Sequence, residues 1–227
     1  MPGRTRMHGR WAAAAALWLL ALGLPAAAQN QQVERYKKRP VELERAEDHW
    51  RLSIACPEVF SERVRGRLSS GFTSRLLFNA QLTDRRGETL VAQGVRQLTI
   101  RYDIWEERYN VRVEDSGQQR FVQLGSMQEL VEQFGAIRRL QLMRLLEPRP
   151  DKRHRVVLRV VVNPTSRELR RKVREYLANP DGRSSIGVPS SFFGSFSRIF
   201  VDESRIKADR VLVFKSRKLD LPAAEDD

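Results

Sequence analysis

From residue 75 to residue 162, most of the chain alternates apolar and polar side chains with a period of two. Leu76, Phe78, Ala80 and Leu82 fall on one side, with Arg75, Asn79 and Gln81 on the other. Leu98, Ile100, Tyr102 and Ile104 repeat the pattern against Thr99, Arg101 and Asp103, as do Tyr109, Val111 and Val113 against Asn110, Arg112 and Glu114. Leu140, Leu142 and Leu145 follow with a slip at Met143, then Val156, Leu158, Val160 and Val162, and finally Val211 and Val213. Successive side chains of a strand point to opposite faces, so this spacing describes strands with one face buried. Asp84-Arg85-Arg86-Gly87 and Asp115-Ser116-Gly117 carry the chemistry of tight hairpins, where glycine accepts a positive φ. Turns this short join only antiparallel neighbours.

Helices interrupt the strands. Ser126 followed by Glu129 reads as a capping box, each side chain satisfying an orphan amide of the first turn, with Leu130, Phe134 and Ile137 behind it on one face. Thr165 and Glu168 read as a second box ahead of Leu169, Val173, Tyr176 and Leu177. A third short helix is expected over Glu58 to Leu68. The expected fold class is α+β: a mostly antiparallel, β-sandwich-like domain with two or three short helices, preceded by a signal peptide.

That signal peptide is read from residues 1–28. Arg4, Arg6 and Arg10 precede an apolar run from Trp11 to Leu24, then Pro25 and the small residues Ala26, Ala27 and Ala28. Fourteen apolar residues fall short of the roughly 20 that span a bilayer. Residues 29–47 are polar and read as a linker, 48–220 as a single β-rich domain, and 221–227 as a disordered acidic tail. The expected location is the exported compartment, periplasm or cell envelope, where genomic DNA is no partner. One cysteine, Cys56, forms no intramolecular disulfide and reads as a buried strand-end thiol, so the domain needs a self-sufficient core.

Tyr102, Ile104, Trp105, Arg108, Tyr109 and Val111, then Phe121 and Leu124, then Ser126, Glu129 and Leu130 come in a recognisable order. That order resembles an uncharacterised family of exported Gram-negative bacterial proteins, domain of unknown function 4390, over about residues 50–220. Trp105 stands where the family pattern has threonine. The resemblance implies an envelope location and a β-rich fold; it implies no activity and brings no catalytic residues.

Charge is localised. Between Arg138 and Arg174 thirteen Lys or Arg face three acids, an excess of ten that equals the net charge left once residues 1–28 are removed. Arg155 and Arg159 on a strand, with Arg167, Arg170, Arg171 and Arg174 on the following helix, form a candidate face for anionic lipid or glycan phosphates; the alternative is an ordinary solvated surface. Phe192, Phe193 and Phe196 form a candidate partner-binding segment, the alternative being a short amphipathic helix that closes the core. Catalytic patterns are sparse. His49 and His154 read as surface residues, and Ser204 with Lys207 matches S-x-x-K without its usual companions. No metal-binding spacing appears, so neither cofactor nor metal is expected. The expected role is non-catalytic binding to another envelope protein, with binding of an anionic lipid or glycan phosphate as the alternative.

Overall fold

In the computed structural model, which describes residues 33–84, 86–148, 153–178, 200 and 206–221, the alternating segments are strands. In chain order they are β1 (Val33–Arg39), β2 (Glu42–Arg45), β3 (His49–Ala55), β4 (Ser74–Asp84), β5 (Leu90–Asp103), β6 (Arg108–Asp115), β7 (Gln118–Leu124), β8 (Ala136–Arg144), β9 (His154–Pro164) and β10 (Ala208–Ser216). The helices are α1 (Glu62–Ser69), α2 (Met127–Phe134) and α3 (Arg167–Ala178). The domain is α+β, as expected. Residues 1–28, 222–227, Arg85, Phe192, Phe193, Phe196 and Ser204, on which several expectations rest, lie outside the described residues.

The strands form one curled sheet in the order β1-β10-β9-β4-β5-β8-β3-β2, with β6 attached to β5 and β7 to β6. All described pairings are antiparallel except β1 with β10. Ser116 and Gly117 have φ of 46° and 77° between the paired ends Asp115 and Gln118. Positive φ at both central residues is the type I′ geometry that matches strand twist. The far edge of β5 is shared: β8 pairs at Ala92 and Gln93, and β6 pairs from Arg96 to Asp103. The sheet therefore divides at β5. Its β8-β3 arm closes over the same face of β4 that carries Leu76, Phe78, Ala80 and Leu82, so Trp50, Leu52, Leu140 and Leu142 share one core with Leu158, Val160, Leu212 and Phe214. This self-closure produces the sandwich-like packing.

The opposite face of β4, β9 and β10 is also covered. Leu169, Val173, Tyr176 and Leu177 of α3 pack on Leu77, Val161, Val211 and Val213, together with Phe200 and Ile206. Burial of each such aliphatic side chain is worth about 1.5–3 kcal/mol. The Tyr176 hydroxyl donates to the Gln93 carbonyl at 3.1 Å, which ties the helix to β5. Strands buried on both faces explain the continuous apolar run Val211-Leu212-Val213-Phe214.

Four expectations change. Residues 33–45, expected as part of a linker, form β1 and β2. Few aliphatic side chains hold β1. Tyr36 stacks on Phe214 (4.8 Å between centroids), Arg39 lies over both rings and pairs with Glu58, and Arg210 grips Glu34 with a two-pronged bond. The helix expected over Glu58 to Leu68 is split into a 3-10 turn, Pro57–Val59, and α1, because buried Phe60 leaves helical geometry (ψ 58°). The second helix cap is Ser166 rather than Thr165: Ser166 Oγ accepts from Leu169 N at 3.2 Å, while Glu168 pairs with Lys172. Ile104 lies beyond the end of β5 and is exposed instead of facing the core. The Ser126 cap forms as expected, with Glu129 N donating to Ser126 Oγ at 3.1 Å and the Glu129 carboxylate accepting from Gly125 N.

The Arg210 guanidinium holds the Glu34 carboxyl below the ordinary glutamate range. A depressed native pKa stabilises the fold fully above the unfolded value of about 4.3, and this contribution fades as the pH falls through the native pKa. The hydrogen-exchange protection factors of the β1 amides are expected to fall over that acidic window, and to lose this step in Glu34→Gln.

Candidate functional site

Four elements meet at one end of the sheet: the last turn of α1, the start of β4, the junction of β9 with α3, and the start of β10. Between them lies an open groove of about 300 Å³ whose lining includes Arg67, Arg75, Asn163, Thr165, Arg170 and Asp209. Asn163 organises its floor. It adopts φ 49°, a left-handed conformation that asparagine tolerates better than most residues, and two bonds hold it there. Its Oδ1 accepts from Arg75 N and its Nδ2 donates to Asp209 Oδ2, both at 2.8 Å, so β4 and β10 are linked across β9. Thr165 donates through N and Oγ1 to the Lys207 carbonyl at 2.8 and 3.1 Å. Arg67 reaches the Thr73 carbonyl at 3.5 Å. Among the described residues no carboxylate forms an ion pair with Arg67, Arg75 or Arg170.

Of the six arginines expected to form a cationic face, only Arg170 lines this groove. Arg155 and Arg159 lie half-buried on β9, and Arg159 donates to Gln81 Oε1 at 2.7 Å. Arg167, Arg171 and Arg174 are exposed on α3, and Arg171 pairs with Glu175 at 2.8 Å. The wider basic run is spread further still. Arg138 donates to the last carbonyls of α2, Gln133 and Glu132, both at 3.1 Å, while Arg144 pairs with Glu147 and Arg153 with Asp220. Arg67 and Arg75, which line the groove beside Arg170, come from a part of the chain with balanced charge. Only the register of β4 against β9, Leu76 opposite Val162, carries them to the α3 end.

A second surface feature adjoins the groove. The β5–β6 turn presents Ile104 (62% exposed) and Trp105 (95% exposed), and Phe72, next to Thr73, is 60% exposed. The Ile104 side chain lies against Gly71, where an added Cβ would sit 3.0 Å from Ile104 Cδ1. Arg67 lies 5.4 Å over the Phe72 ring. The turn is held by the Asp103 carboxylate, which accepts from Trp105 N at 3.1 Å and Glu106 N at 3.3 Å. Tyr102 and Tyr109 pack together at its base, 4.7 Å between centroids.

The remaining candidates are elsewhere. His154, expected at the surface, is 2% exposed: its backbone exchanges bonds with Leu219 at 2.8 and 2.9 Å, and β4 covers its other side at Asp84. His49 sits on β3 beside Asp48. Cys56 is the buried strand-end thiol that was expected, and burial pushes its pKa up to about 12. Phe200, which follows the expected aromatic segment, is fully buried against the α3 core. Among the described residues no group of three or more His, Cys, Asp or Glu could hold a metal ion, and no helix is long and apolar enough to cross a membrane.

No curated protein and no solved structure matches the chain. A family model described as a domain of unknown function (DUF4390) matches residues 35–167, from β1 to the first residue of α3. That span exceeds half of the sequence and takes in both the Trp105 turn and most of the groove, and the chain belongs to this family.

Proposed function

We propose that this protein is an exported, non-catalytic component of the bacterial cell envelope that binds another protein through the projection formed by Phe72, Ile104 and Trp105. Export is supported by the basic, apolar and small-residue succession of residues 1–28. The observation that carries the binding role is Trp105, 95% exposed on a turn braced by Asp103 and flanked by two further exposed apolar side chains. Leaving a tryptophan in water forgoes its burial energy, and tryptophan anchors are enriched at the centres of protein interfaces. Charges of both signs rim the projection: Arg67, Arg101 and Arg108 with Asp103, Glu106 and Glu107. An apolar centre with a mixed polar rim suits a protein partner. The two glutamates beside Trp105 disfavour an anionic bilayer.

The test is a photo-crosslinking residue at position 105, with one at Arg120 on β7 as the control, in intact cells. A discrete protein adduct from position 105 only, weakened at least tenfold by Phe72→Ser with Ile104→Ser, is expected. The two serine substitutions should leave the melting temperature nearly unchanged, because both side chains are exposed. Equal adducts from both positions, or an adduct indifferent to the serine substitutions, would remove this reading. N-terminal sequencing of the natively purified protein should begin near Gln29.

A further inference from the structure

We infer that the groove between α1, β4 and α3 is a binding site for a phosphate ester, held by Arg67, Arg75 and Arg170. This inference is independent of the partner-binding projection. Elsewhere the chain pairs three partly buried arginines with carboxylates, Arg39 with Glu58, Arg96 with Asp115 and Arg210 with Glu34, and gives Arg159 the Gln81 amide oxygen; in the groove Arg67 and Arg75 are exposed and Arg170 is half-buried. In the groove three guanidinium groups come from three separate elements, and among the described residues none has a carboxylate partner. The groove contains one acid, Asp209, and its Oδ2 accepts from Asn163. The net charge of the lining is therefore positive, and gathering like charges has an electrostatic cost that a bound anion removes.

The chemistry of the lining selects the anion. Guanidinium forks bind oxyanions through paired N–H donors. Forks carried by three separate elements suit the tetrahedrally arranged oxygens of phosphate, whereas a carboxylate offers two oxygens in one plane. Thr73, with Thr165, adds hydroxyl-bearing side chains to the wall. About 300 Å³ is the lower end of ligand-site volumes and admits a phosphate with a small polar substituent. A polar lining of this size has no room for an acyl chain, so a lipid would engage it through its headgroup alone. Asn163 makes the site pre-organised: its two side-chain bonds fix the start of β4, and with it Arg75, before any ligand arrives.

The experiment uses the natively purified protein in low salt, with three probes: glycerol 3-phosphate followed by calorimetry, and sedimenting vesicles of phosphatidylcholine with or without phosphatidylglycerol. Saturable binding of glycerol 3-phosphate is expected. It should weaken at least tenfold in Arg75→Gln with Arg170→Gln and fall as salt rises. Arg120→Gln, an exposed arginine on β7, should bind as the parent does. Arg67→Gln alone is the second variant if the double substitution impairs folding. Binding to phosphatidylglycerol vesicles that the groove variants abolish identifies a headgroup as the source of the phosphate; binding of glycerol 3-phosphate without vesicle binding identifies a soluble ester. The inference is overturned if neither probe binds, if the groove variants bind like the parent, or if Arg120→Gln loses as much as they do.

Discussion

Gly94→Ala is expected to destabilise the domain by about 3 kcal/mol, which for a domain of this size lowers the melting temperature by roughly 6–12 °C. A Cβ at Gly94 would stand 2.0 Å from the backbone oxygen of Gln141 and 2.8 Å from Leu142 Cδ2. The first contact is with main chain, which no side-chain rotation relieves. Gly94 pairs with Ala80 on β4, two positions along β5 from Ala92, where β8 takes over the far edge. The missing side chain lets β8 pass across the face of β5, the crossing at which the sheet closes on itself. A methyl group there has to displace β8, and Leu142, buried in the main core, moves with it. Thermal unfolding followed by circular dichroism measures the loss. Gly66→Ala is the matched control: nothing lies within 4 Å of its added Cβ, and it sits inside α1. There the same substitution is expected to stabilise by about 0.5–1 kcal/mol through helix propensity. Equal effects at the two glycines would mean that β8 does not depend on the close approach.

Asn79→Leu is expected to stabilise the protein by about 2 kcal/mol, a rise of roughly 4–8 °C in melting temperature. Asn79 is fully buried on β4, and among the described residues neither Oδ1 nor Nδ2 has a hydrogen-bond partner. A buried amide without partners carries a desolvation cost of about 1–3 kcal/mol. The residue shares the α3-facing side of the sheet with Leu77 and, across β5, Val95, both buried in the α3 core. Leucine has the same branched shape with bulkier methyl groups in place of the amide, removes both polar atoms and opens no cavity. A lower melting temperature for Asn79→Leu would show that the amide has a partner in solution.

The hairpins and the Ser126 cap were legible along the chain because their causes are local. Asp115-Ser116-Gly117 contains the residues a type I′ turn requires, and Ser126 with Glu129 lies within one helical turn. The apolar stripe Leu169-Val173-Tyr176-Leu177 repeats at helical spacing and is buried as that spacing demands. The buried thiol of Cys56 was legible for the same reason, being enclosed by the end of an alternating strand. Each of these signals is complete within about ten residues. Their physical basis is backbone geometry and one-sided burial.

Elements held by distant partners left no such trace. β1 reads as a charged linker until Glu34 meets Arg210 and Tyr36 meets Phe214, more than 170 positions away. Its stability comes from stacking and ion pairing across a parallel edge, which hydropathy along the segment does not register. The concentration of basic residues between Arg138 and Arg174 suggested one cationic face; alternation sends Arg155 and Arg159 to the α3-facing side of β9, α3 carries Arg167, Arg170, Arg171 and Arg174 on one side at i, i+3, i+4 and i+7 spacing, and of these six only Arg170 lines the groove. The groove instead takes Arg67 from α1, Arg75 from β4 and Arg170 from α3. The amino-acid sequence thus determined the alternating strands, the turns, the Ser126 cap and the apolar stripes, through interactions between near neighbours. Which charges share a groove, where the sheet closes and what secures its first strand were decided by tertiary structure alone, because strand register joins residues about a hundred positions apart.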